Sequence, residues 1–97
     1  MIRHVALFQW KEGTTEAEIA AITAGLATLP DQIEALRAYR FGPDVGFSEG
    51  NFDYAVVADF DSIDDYPTYV QHPAHADVAG RLVRPHVEAR ASVQFAL

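Results

Sequence analysis

A chain of 97 residues with 49% hydrophobic content and a net charge of −7 suits one compact domain spanning 1–97 and argues against nucleic acid or an anionic membrane surface as partner. The absence of cysteine removes disulfides, thiolate metal sites and cysteine nucleophiles together. No stretch reaches the roughly 18 apolar residues of a membrane span, and the opening residues lack a secretory core, so a cytoplasmic location is the expectation.

Residues 2–10, Ile-Arg-His-Val-Ala-Leu-Phe-Gln-Trp, read as a strand. Period two puts Ile2, His4, Ala6, Phe8 and Trp10 on one face and Arg3, Val5, Leu7 and Gln9 on the other. Thr15 and Glu18 fit a capping box ahead of a helix in which Ile19, Ile22, Leu26 and Leu29 recur at helical spacing until Pro30. A second strand is predicted over 35–41, then a loop rich in turn formers over 42–51. The third strand, 53–60, sets Tyr54, Val56, Ala58 and Phe60 opposite Ala55, Val57 and Asp59.

Ser62 is a candidate cap for the next helix, with Asp64 and Asp65 in its opening turn. Pro67 then predicts a distorted start and regular helix over 67–71, because an interior proline removes a hydrogen bond at about 3 kcal/mol. A further helix over 73–83 precedes a last strand, 87–95. Along it Val87, Ala89, Ala91, Val93 and Phe95 alternate with Glu88, Arg90, Ser92 and Gln94.

The resulting order, β-α-β-β-α-β, is that of a ferredoxin-like α+β sandwich with an antiparallel sheet. Helices would cover one face. The other would expose Val5, Leu7, Ala55 and Val57, an apolar patch of the kind that marks a partner. A homodimer through the open sheet face is the expectation.

Three segments carry a resemblance to a known family: Ile2 to Phe8, Asp53 to Ser62, and Tyr69-Val70-Gln71-His72-Pro73-Ala74-His75. Together the chain resembles the stress-responsive dimeric α/β-barrel (Dabb) domain family over nearly its whole length. The resemblance implies a ferredoxin-like monomer whose sheet pairs with a second copy to form a dimeric α+β barrel. Most members have no established reaction. One branch, that of olivetolic acid cyclase, closes linear polyketides by aldol chemistry without a cofactor, using a tyrosine and a histidine. By motif these fall on Tyr69 and His75, and a pocket histidine of the first strand on His4. A further pocket histidine falls on Tyr54, a departure from that branch.

Aldol closure needs a base for a proton next to a carbonyl and a donor for the developing enolate oxygen. With His72 as cap and Pro73 as first helical residue, His75 enters the first turn, where the helix dipole disfavours its charged form. Tyr69 and His75 are therefore the candidate catalytic pair, with His4 and Tyr54 as substrate-binding candidates. Each also has a plain structural role to play: His75 bonded to backbone, Tyr69 and Tyr54 as core aromatics, His4 as a buried strand histidine. His72 would cap or face solvent, and His86 would sit at the surface without a partner. Pro73 works against zinc shared by His72, His75 and His4, and Asp59, Asp61, Asp64 and Asp65 read as solvated acids, so no metal and no cofactor is expected. Phosphate loops and dinucleotide fingerprints are absent. The leading expectation is a cofactor-independent cyclase or isomerase for a small apolar or aromatic carbonyl compound. A non-catalytic, stress-associated ligand-binding dimer is the alternative, and a cofactor-free monooxygenase a third.

Overall fold

Alternation along the first strand sets the frame of the molecule. In the computed structural model, which describes residues 1–97, β1 (Ile2–Trp10), β2 (Ala38–Pro43), β3 (Tyr54–Phe60) and β4 (Val87–Ala96) form one sheet. Its order is β2-β3-β1-β4, antiparallel throughout. The helices are α1 (Glu16–Ala27), α2 (Asp65–Gln71) and α3 (Pro73–Val78), the last running into a π turn (Ala79–Val83) and a 3-10 turn (Arg84–His86). This is the expected ferredoxin-like α+β fold, with β1 and β3 central. No helix is long and apolar enough to cross a membrane.

The capping box forms as the sequence predicts. Glu18 N–H donates to Thr15 Oγ1 at 3.2 Å and Thr15 N–H to Glu18 Oε1 at 2.9 Å, satisfying two amides that the helix leaves free. The regular helix ends at Ala27, short of Pro30, but Leu29 is fully buried beside Ile22 and Leu26. Gly25 lets α1 approach the π turn, since a Cβ there would lie 2.6 Å from Leu82 Cδ1. The second strand begins three residues later than predicted, at Ala38, after turns that bury Ile33. Pro43 is tolerated at its end because β2 is an edge strand.

The opening of α2 is irregular, as expected, since Asp65 and Tyr66 N–H donate three residues back to the Ser62 and Ile63 carbonyls. Regular helix nonetheless begins ahead of Pro67. The helix starts at Asp65, two residues before the predicted regular stretch, so Pro67 is its third residue. An amide there has no partner within the helix, and nothing is lost by replacing it. Ser62 organises the approach, its Oγ accepting from Asp64 N–H at 3.2 Å.

The core lies between the helices and one face of the sheet, where Tyr54, Val56, Ala58 and Phe60 of β3 meet Ile22, Leu26, Tyr69 and Val78. On the open face, β1 and β3 pair Val5 with Val57 and Leu7 with Ala55, and β4 adds Val93 opposite Val5 and Ala91 opposite Leu7. Val93 and Phe95 are 56% and 45% exposed. Asp59, read from the sequence as a solvated acid, is instead buried on this face. It accepts two bonds from the Arg3 guanidinium, at 2.8 and 2.9 Å. Asp61 pairs with Arg37 at 2.9 Å. A bulge at Gln9/Trp10 brings Val87 opposite Trp10 and Ala89 opposite Gln9. Strict alternation along β4 is thereby broken, and Val87 turns to the helix side.

Candidate functional site

One residue separates α2 from α3. His72 is extended (φ −62°, ψ 134°), as the residue before a proline tends to be. Its Nδ1 accepts from Ala74 N–H at 3.1 Å, so His72 is a cap and Pro73 fills the first helical position. The break turns the chain so that Tyr69, near the end of α2, and His75, in the first turn of α3, meet. Their ring centroids lie 4.3 Å apart.

Both rings border a cavity of about 250 Å³ between the helices and the sheet. Its floor is His4, Ala6 and Phe8 of β1 with Val56 of β3. Val78, Ala79 and Val83 close it from α3 and the π turn, and Tyr39, Arg84 and Arg90 complete the polar part of the wall. π turns are uncommon and recur at functional sites; here the widened turn contributes two of the lining side chains.

Each histidine in the cavity has its proton placed by a neighbour. His75 Nδ1 is 3.1 Å from the Val70 carbonyl oxygen. A carbonyl only accepts, so in the neutral ring Nδ1 carries the proton and Nε2 offers a lone pair. Burial holds the His75 pKa below its ordinary value; the Val70 bond opposes the shift, while Arg84, Arg90 and His72 add to it. The lowered pKa has the direction expected of a histidine in the first helical turn, with desolvation as its largest cause. His4 has the opposite tautomer: Gln94 Nε2 donates to His4 Nδ1 at 2.8 Å, which leaves the proton on Nε2. Burial, then the charges of Arg90 and His75, lower the His4 pKa to about 4. Trp10 Nε1 is the one sealed side-chain polar atom without a partner, so the free Nε2 of each histidine faces accessible space.

The Tyr69 hydroxyl is 2.8 Å from that of Tyr39. Burial is the main cause that pushes Tyr69 up to about 12, and the Tyr39 bond works against it. Tyr39 is raised further, by burial first and then by Tyr69. Both hydroxyls stay protonated at neutral pH, and either can donate in the pair.

The cavity brings together three of the four site candidates read from the sequence, Tyr69, His75 and His4. Tyr54 is a correction. It sits opposite Phe8, beneath α1 rather than beneath the α2–α3 junction, and its hydroxyl bonds Thr23 Oγ1 at 2.8 Å. It packs against Trp10 as a core aromatic, outside the cavity lining. His86 is a second correction, since it faces Glu18 Oε2 at 3.4 Å and is only a quarter exposed. No group of three or more His, Asp or Glu side chains is disposed to hold a metal ion. Sequence reading missed Tyr39, Arg84, Arg90 and Gln94. The alternation of Arg90, Ser92 and Gln94 was visible, but only pairing of β4 with β1 sets Arg90 opposite Phe8 and Gln94 opposite His4.

Comparison with known proteins agrees with this architecture. The family model of the stress responsive A/B barrel domain matches residues 2–97. The stress-response A/B barrel domain-containing protein HS1 of Arabidopsis thaliana is 30% identical over 80 residues, covering 80% of this chain and 73% of that protein. A dimeric ferredoxin-like protein of unknown function from Thermobifida fusca superposes with a TM-score of 0.92 at 41% identity, covering 99% of this chain and 90% of that one. A hydroxynitrile lyase from Passiflora edulis shares the fold, with a TM-score of 0.83 at 19% identity over 99% of this chain and 92% of the other. With its fold, its motif segments and a family match over nearly every residue, the chain belongs to the stress-responsive A/B barrel (Dabb) domain family.

Proposed function

We propose that the cavity is an active site for cofactor-independent proton transfer at the carbon beside a carbonyl, supporting ring closure or isomerisation of a small, largely apolar carbonyl compound. One observation carries the reading: a histidine held neutral with its Nε2 lone pair free borders the same 250 Å³ cavity as two neutral donors, Tyr69 O–H and His4 Nε2–H. His75 Nε2 removes the proton from the carbon, and the electron pair moves onto the carbonyl oxygen. That enolate oxygen takes a hydrogen bond from Tyr69, whose hydroxyl is polarised by Tyr39. In ring closure the enolate carbon then attacks a second carbonyl carbon, forming the C–C bond, and the new alkoxide recovers the proton from the His75 imidazolium. Isomerisation uses the same base and returns the proton at a different carbon.

The Passiflora edulis protein is a lyase on this fold. At 19% identity that likeness speaks to the fold alone, so the reading rests on the cavity chemistry. The family name supports the non-catalytic alternative equally well. Hydrogen–deuterium exchange at the methyl group of acetophenone, followed by proton NMR, separates the two. Exchange accelerated by the protein and lost in His75→Ala and Tyr69→Phe is the expected result. A protein that binds the ketone at His75 without accelerating exchange is a ligand-binding module, and the catalytic reading is then wrong.

The working assembly in this reading is a homodimer through the open sheet face. Val93 and Phe95 stand exposed beside Val5 and Val57 on that face, and the Thermobifida fusca relative is dimeric. The Arg3–Asp59 pair there is bidentate, so a second sheet can cover it without stranding a charge.

A further inference from the structure

We propose that the natural ligand of this cavity carries a carboxylate, received by Arg90 from the sheet and Arg84 from the turn after α3, with its apolar body toward Tyr69 and His75. This deepens the acid–base reading and rests on it.

The arginines divide into two kinds. Arg3, Arg37 and Arg81 each hold an aspartate, at 2.8, 2.9 and 3.1 Å. Arg40, Arg84 and Arg90 enter no ion pair, although the chain has 14 acidic residues against seven Lys and Arg. Of these three, Arg84 and Arg90 are the ones at the cavity, which they border from two different walls. The Arg90 side chain makes one hydrogen bond, from Nη1 to the neutral Ser92 Oγ at 3.3 Å. Two guanidiniums without a carboxylate partner beside a largely apolar hollow present a fork for a planar anion. Size fits as well, since a cavity of about 150 Å³ holds a benzene ring, and this one offers about 250 Å³. A monocyclic aromatic or short-chain acid is the matching class.

The arrangement has a chemical consequence. Arg84 and Arg90 weaken His75 as a base, and Arg90 does the same to His4. A bound carboxylate neutralises them and strengthens the base only when substrate is present.

Two probes of the same shape test this: 4-propylbenzoate and its neutral amide, 4-propylbenzamide, titrated into the full chain while the His75 and His4 imidazole resonances are followed by NMR. The benzoate should bind at least about tenfold more tightly, the range expected of a charge-assisted hydrogen bond. It should also raise the His75 pKa, which the amide should not. In R84Q/R90Q the benzoate should fall to the affinity of the amide. Equal affinities with both probes seated at His75, or a benzoate preference that survives in the double variant, overturn the carboxylate assignment and leave the acid–base reading intact. If neither probe perturbs His75, both fall together.

Discussion

On the helix-covered face of the sheet, His4, Tyr39 and Tyr69 are polar, largely buried, and each held by a named hydrogen bond. On the open face, Val5, Val57, Val93 and Phe95 are apolar and partly or largely in contact with water. The usual distribution would be the reverse. Polar groups kept inside at a desolvation cost need a reason beyond stability, and apolar groups left outside need a cover. Chemistry on one face and association on the other supply both.

The largest expected effect lies on the covered face. His75→Ala should slow acetophenone exchange by about 10²- to 10⁴-fold, the usual contribution of a positioned base, with the melting temperature close to that of the parent. A slow variant that has also lost its fold would blur the contrast between the faces, so circular dichroism accompanies the rate measurement. The same exchange should fall on acidification: burial lowers the His75 pKa from its ordinary value, so the base is free at neutral pH and is lost only as pH drops through that lowered pKa.

The open face is tested by Val57→Asp. In a dimer it buries a carboxylate twice, so self-association should weaken by about a hundredfold or more, read by sedimentation equilibrium. Unchanged dimerisation would move the interface elsewhere and leave the apolar face unexplained. Sharper still is pH. His4 has an ordinary pKa of 6.5 when unfolded and about 4 when folded, so only the unfolded chain takes up the proton between those values. The contribution is complete above pH 6.5 and drains away as pH falls toward 4, by on the order of 2 kcal/mol. His4→Gln should flatten that part of the stability curve in urea titrations.

The smallest effect belongs to Tyr39. Tyr39→Phe removes the hydroxyl bonded to Tyr69, which should cost about 1 kcal/mol of stability and reduce exchange by about three- to tenfold. A loss as large as that of His75→Ala would mean that Tyr39, rather than Tyr69, meets the substrate.

Local chemistry made much of the molecule legible. The Thr15–Glu18 box, the alternation of β1 and β3, and the cap–proline start at His72-Pro73 depend on neighbours within a few residues, and the structure reproduces them. Where the sequence reading slipped, the deciding contact was distant. Tyr54 points to the correct side of the sheet, yet Thr23, 31 residues away, takes its hydroxyl. Asp59 looked solvated until Arg3, 56 residues away, is seen beside it.

The sequence by itself determined the order of elements, the covered and open faces, and the meeting of Tyr69 with His75, because periodicity, capping and proline act over a turn or two of chain. Only the tertiary structure decided which nitrogen of His4 and of His75 is free, that Tyr39 stands behind Tyr69, and that Arg84 and Arg90 reach the cavity without a carboxylate partner. Those depend on strand register and on burial, which arise when residues far apart in the chain pack together and displace water.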